Sequence, residues 1–293
     1  MRYQGLFIFI SGIFLISEGW AQAFYAVRRD HDLIVSFGTG TSTYFGELQN
    51  PGDVIDAKPS FNVGAQVFFA HNFLGNRLSA RTELTYFRLQ GTDATADDDR
   101  VERNLSFFSN NMELNAVGLF HLFPQDKKFY KRSFLNIYAM AGTGLLYTNP
   151  KTEYQGQTIK LQPLETEGIK YSRFQFVIPY GIGIRFRQGV LYNIALEAGW
   201  RKTFTDYLDD ASSVRYPDPL ILKGDLSRAL SDRRRERDPN YPIKPGLGRR
   251  GNPDNKDSYM LISLKLEYFL PIDLFHDDGR RLMWIKRSRP RRR

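Results

Sequence analysis

The sequence predicts an all-β fold: an eight-stranded antiparallel transmembrane β-barrel of the outer-membrane type, with long outer loops and a basic periplasmic C-terminal tail. Three observations predict it. The first is the stretch from Phe174 to Trp200. Apolar residues take every second position (Phe174, Phe176, Ile178, Tyr180, Ile182, Ile184, Phe186), then resume after Gln188-Gly189 at Tyr192, Ile194, Leu196, Ala198 and Trp200. A period of two on both sides of a tight turn is a long β-hairpin. Its other parity carries Gln175, Gly181, Gly183, Arg185, Glu197 and Arg201. No helical pattern in the chain supplies a layer to cover the apolar face, so lipid is the fitting partner, with the polar face to the lumen. The second observation is composition. The 293 residues have a mean hydropathy of -0.42, and the one unbroken apolar run, at the N-terminus, is too short to span a bilayer as a helix. The third is the rhythm of the connections, short and long in alternation, as in barrels whose short turns face the periplasm.

Residues 1–23 read as a secretory signal: Arg2, an apolar stretch from Leu6 to Ile16, then Ala21-Gln22-Ala23. The barrel is expected over residues 24–270. Strands are predicted near Asp32–Phe45, Ser60–Ala70, Leu78–Tyr86, Ser106–Leu122, Phe134–Thr148, Phe174–Arg187, Tyr192–Arg201 and Ser258–Leu270, each alternating apolar with polar or small residues. Pro179, in the middle of a strand, predicts a local bulge. The turns after the second, fourth and sixth strands are short, which places both termini in the periplasm. The longest link, about 204–256, is charged and proline-spotted, a length that marks a functional or disordered segment.

Composition excludes several chemistries. There is no cysteine, hence no disulfide frame, thiolate metal site, cysteine nucleophile or acylated lipoprotein anchor. No P-loop, no GxGxxG before a helix and no HExxH occurs. The net charge of +9 suits phosphate, but a secreted chain does not meet nucleic acid. His31, His71, His121 and His276 all fall at the predicted periplasmic side, away from where an outer-leaflet lipid hydrolase needs its base. No enzyme, catalytic residue or cofactor is expected. Asp206, Asp209 and Asp210 are oxygen donors suited to a hard cation, yet they lack the EF-hand spacing, and no metal site is predicted.

Eight charges lie on the lumen parity: Arg81, Glu83, Glu113, Arg185, Glu197, Arg201, Lys265 and Glu267. Both signs are present, as a barrel filled by its own side chains requires. An ion or proton path is the alternative reading of these residues.

Two segments carry a family resemblance. Gly199-Trp200-Arg201-Lys202-Thr203-Phe204-Thr205-Asp206-Tyr207-Leu208-Asp209-Asp210, with Trp200, Arg201, Asp206, Tyr207, Asp209 and Asp210 as its marked positions, resembles the signature of the PorG-like outer-membrane barrels of Bacteroidota. Gly38 to Leu48 resembles the first-strand pattern of the same family, with Glu47 where Asp is common. The resemblance implies a structural subunit of the type IX secretion machinery, coupling its periplasmic ring proteins to the outer membrane. An OmpA/OmpX-like surface barrel that binds ligands or surfaces through its outer loops is the alternative. Outer-membrane lipid is the expected surroundings, with lipopolysaccharide at the outer loops. Residues 271–293 form a basic tail in which Trp284 sits among Arg280, Arg281, Lys286 and Arg287. An aromatic anchor ringed by arginine is the composition of an interface hot spot, so the tail is expected to dock on a periplasmic partner.

Overall fold

A computed structural model describes residues 33–49, 58–68, 73–96, 100–125, 132–241 and 249–270. The expected signal segment, the C-terminal tail with Arg280, Arg281, Trp284, Lys286 and Arg287, and His31, His71 and His276 lie outside the described residues. The chain forms β1 (Leu33–Phe45), β2 (Lys58–Phe68), β3 (Leu78–Thr92), a single turn of helix α1 (Arg100–Arg103), β4 (Ser106–His121), β5 (Leu135–Tyr147), β6 (Lys151–Tyr154), β7 (Gln157–Lys160), β8 (Phe174–Arg187), β9 (Tyr192–Thr203), α2 (Asp225–Ser231) and β10 (Ser258–Leu270). Eight long strands pair in the order β3-β2-β1-β10-β9-β8-β5-β4, and β3 also pairs with β4. The sheet therefore closes on itself as an antiparallel barrel. β1 and β10 meet across the seam over their full lengths, from Leu33 opposite Leu270 to Phe45 opposite Ser258.

Alternation sets which side chains face in. Along β4 every odd residue from Phe107 to His121 is buried, while the even residues from Asn110 to Phe120 are exposed. The exposed parity is the apolar one: Phe37 is 63% exposed, Ile182 59% and Leu114 53%, whereas Glu113 and Glu267 are fully buried. This is the reverse of a water-soluble barrel, and an apolar surface on every strand is one that lipid, not water, solvates. Aromatic pairs ring both ends of that surface. Tyr147–Phe174 and Phe176–Phe204 stand at one end, with ring centroids 5.3 and 5.9 Å apart. Phe134–Phe186 and Tyr192–Tyr268 stand at the other, at 6.4 and 5.1 Å. Between the two rings lie Leu114, Ile182, Ile184, Leu196, Ile262 and Leu264. From Phe174 to Phe186 a tilted strand rises roughly 30 Å, the thickness of a bilayer's hydrocarbon.

The expected bulge at Pro179 does not form. Gly144 opposes Val177 and Ala141 opposes Tyr180, so the β5–β8 register is the same on both sides of the proline. What is lost is pairing itself: neither Ile178 nor Pro179 pairs with β5, while Pro179 pairs with Arg201 on β9. Proline removes a donor, and the neighbouring pairs hold the register without an extra residue.

The long links also carry structure. The β5–β8 link contains the hairpin β6–β7, turned at Gln155 (φ 50°) and Gly156 (φ 75°), the two positive φ values of a type I′ turn. The β9–β10 link folds as a cap around α2. Its Leu208, Ala211 and Leu230 join inward-facing Phe87, Leu89, Phe107, Leu146, Val177 and Leu261 in one apolar cluster that closes the barrel at the end where this link lies. A smaller cluster of Ile34, Phe68 and Phe269 closes the opposite end.

Candidate functional site: the barrel interior and its outer cap

Between the two apolar plugs lies a layer of charge. All eight charges expected on the lumen parity are there, each at most 5% exposed. Lys265 pairs with Glu83 and, at 2.6 Å, with Glu197. Arg81 grips Glu197 with two nitrogens, one of them at 2.8 Å, and lies 3.6 Å from Glu83. Tyr138 donates its hydroxyl to Glu197 as well. Arg185 pairs with Glu267 at 2.7 Å, and Asn193 donates to the same carboxylate. Arg201 lies 3.3 Å from Glu113, which also accepts from Tyr259 and Asn115 at 2.7 Å each. Four cations face four carboxylates, so the layer is neutral. Burying charge is tolerable only under such pairing. The ring of Tyr138 fills the space that a side chain at position 183 would need; a Cβ on Gly183 would meet it at 2.4 Å. Glycine there lets the aromatic ring cross the lumen.

A serine–histidine pair exists inside the barrel, but it is not exposed to a substrate. Ser79 lies 2.9 Å from His121 Nε2, and Gln66 donates to the same hydroxyl at 2.8 Å. Ser79 is 1% exposed and His121 0%. His121 Nδ1 has no hydrogen-bond partner, so no carboxylate orients the ring as nucleophilic catalysis requires.

The family-motif residues divide between wall and cap. Trp200 projects outward on β9 and stacks on Tyr180 at 6.5 Å, while Arg201, one residue on, enters the lumen. Asp206, Tyr207, Asp209 and Asp210 belong to the cap. Tyr207 stacks on Tyr171 with centroids 4.7 Å apart. Asp210, at φ 68°, accepts from the hydroxyls of Thr166 and Tyr171 and faces Arg250. Arg250 is fully enclosed; it pairs with Glu167 and donates to the Asp210 carbonyl at 2.8 Å and the Ser231 carbonyl at 3.1 Å. Asp209 accepts from the Ala211 amide at 2.9 Å.

Asp210 therefore stands apart from the other two motif aspartates, and Asp209 lies close enough to Asp257 and Glu47 to feel their charge. Asp206 meets Glu47, just past β1, and Asp257, just before β10, with one carboxylate oxygen from each lying within 4.8 Å of the others. Asp257 is held by the Tyr44 hydroxyl at 2.6 Å and the Leu208 amide at 2.9 Å. Both oxygens of Asp206 are buried without a hydrogen-bond partner, and those of Glu47 are buried with the Glu47 and Asn252 amides close enough to favour its charged form. Burial, with Asp206 adding repulsion, raises the Glu47 carboxyl to about 7. Asp206 is also raised by burial, with Ser212 and Lys256 opposing. Burial pushes Asp209 and Asp257 well above the carboxylate range. Glu167, Arg250 and Asp257 are the cap residues that sequence reasoning missed, and no short-range motif marks them. Next to Glu47 a cavity of about 620 Å³ opens, lined by Arg100, Arg103, Tyr216, Arg234, Asn252 and Asn255 among others.

No protein-family model matches the chain, and no curated relative does. Among solved structures it is similar to the attachment invasion locus protein Ail of Yersinia pestis, at 11% identity and TM-score 0.40, covering 82% of this chain and 98% of Ail. Neisserial surface protein A gives 8% identity and TM-score 0.41, covering 81% of this chain and 97% of that one. The outer membrane protein OprG of Pseudomonas aeruginosa gives 8% and 0.38, covering 83% and 97%. At these values the likenesses carry no argument about function, and the closed eight-stranded barrel stands on the chain's own strand pairing.

Proposed function

We propose that this protein is a structural, non-conducting barrel of the bacterial outer membrane that works through its two ends. One observation carries the reading: the lumen is filled by a neutral layer of four cations and four carboxylates, with an apolar plug on either side. Such an interior neither transports nor catalyses; it stiffens a wall. The apolar exterior with its aromatic rings supports lipid as the surroundings. By the resemblance of residues 199–210 and 38–48, the finer assignment is a structural subunit of the type IX protein secretion machinery; the short turns put both termini in the periplasm, and the composition of the basic tail suits docking on the ring proteins. A second reading has its own observation. The outer cap is folded and presents an arginine-lined cavity, as a surface barrel that binds anionic ligands such as lipopolysaccharide would need.

Purification in mild detergent with identification of bound proteins separates the two. Recovery of periplasmic ring proteins is the expected outcome. Recovery of the barrel with lipopolysaccharide alone would favour the surface reading and remove the secretion assignment.

A further inference from the structure

We propose that Glu47, Asp206 and Asp257 form a binding site for a hard divalent cation of the calcium type, which ties the outer cap to the barrel rim. The site goes beyond the proposed structural role and does not depend on it.

Geometry is the first support. The three carboxylates offer oxygens within 4.8 Å of one another. Ligands on opposite sides of a calcium ion at about 2.4 Å stand about 4.8 Å apart, so all three fit one coordination shell. Oxygen-only donors without histidine or cysteine select calcium or magnesium over transition metals.

The second support is independent of the clustering. Asp206 is 2% exposed, and neither of its oxygens has a hydrogen-bond partner. An ionised carboxylate in that state is costly unless a cation meets it. Among the described residues, Arg103 and Lys256 favour the charged forms of Glu47 and Asp206 only through space; neither bonds these carboxylates. Arg103 grips Asp93 at 2.6 and 2.7 Å, and Lys256 donates to the Pro253 carbonyl at 2.8 Å. Asp257 is aimed by Tyr44 and Leu208, the outer-shell support that holds metal ligands in place. Asn252 and Asn255 line the cavity beside Glu47, where side-chain carbonyls and water can complete the six to eight oxygens that calcium takes.

Strand order makes the site a clasp. β10 lies between β1 and β9. Glu47 follows β1, Asp206 follows β9 and Asp257 precedes β10. One ion would join both ends of the β9–β10 link to the start of the β1–β2 link.

The test uses the full chain refolded in detergent micelles, with heat-modifiable gel mobility to confirm a folded barrel in every variant. Tb³⁺ is the probe, its luminescence sensitised by the tyrosines beside the site. A saturable signal is expected, displaced by Ca²⁺ with an apparent Kd between about 10⁻⁵ and 10⁻³ M. Trypsin cleavage within the cap should slow about tenfold at saturating Ca²⁺. Asp206→Asn and Glu47→Gln should each weaken the displacement about tenfold or more, while Asp210→Asn, whose carboxylate is turned to Thr166 and Tyr171, should leave it within about twofold. Absence of a Ca²⁺-displaceable signal in the unaltered protein up to about 10 mM would overturn the proposal. So would wild-type Ca²⁺ binding in both Asp206→Asn and Glu47→Gln.

Discussion

Lys265 shows what each residue of the lumen layer does. Its ammonium holds Glu83 and Glu197 together. Lys265→Met would leave the two carboxylates sharing Arg81 alone. Breaking a buried ion pair from one side costs roughly 3–5 kcal/mol, so urea unfolding in micelles should show a loss of that order. Adding Glu83→Gln should recover part of it, since a charge is then removed from each side. Equal losses in the single and double variants would mean that the pairing contributes nothing. Asp210 gives a pH dependence. Burial lifts its carboxyl to about 6, with Arg250 opposing. A carboxyl raised in the folded state contributes stability that is full below its unfolded value, about 4, and is lost as pH rises through about 6. In EGTA, protease resistance of the cap should therefore fall from about pH 4 to about pH 6, and Asp210→Asn should flatten part of that fall. A profile unchanged by the substitution would remove Asp210 from the effect.

The strands are the elements that the sequence displays most openly, because the two faces meet different surroundings and a period of two survives in the residues. Phe174 to Phe186 on one parity and Arg185 on the other already define the wall. The outward positions yield a direct prediction. Ile182→Arg, between the aromatic rings, should cost about 2–4 kcal/mol on folding into vesicles. Gln175→Arg, on the lumen parity near the outer rim and half-buried, should cost clearly less. Comparable losses at both would contradict the assignment of faces. The links are much less legible. β6 and β7 have four residues each, too few to show a period, and only Gln155-Gly156 hints at their turn. The cap buries a few scattered apolar residues such as Leu208 and Leu230 under a charged sequence, so composition does not reveal its order. Glu47 and Asp257 stand far apart in the chain and meet Asp206 only because β1, β10 and β9 are neighbours in the closed sheet. Of Asp206, Asp209 and Asp210, close in sequence, Asp210 parts from the others because it takes up positive φ and turns to Thr166 and Tyr171, while Asp209 stays beside Asp257 and Glu47.

For the whole molecule, the described strands already close the barrel, with β10 paired to β1 from Ser258 to Leu270. Truncation after Leu270 should leave heat-modifiable folding intact and, on the proposed role in secretion, abolish co-purification of ring proteins. Retention of the same partners by the truncated protein would take the tail out of the function. The central claim, however, concerns the interior. Eight strands enclose a lumen that side chains can fill, and here they fill it with paired charge between two apolar plugs. Planar-bilayer recording of the refolded chain tests this most directly. No stable open level is expected at any applied voltage the bilayer tolerates. Steady conductance steps of porin size would contradict it.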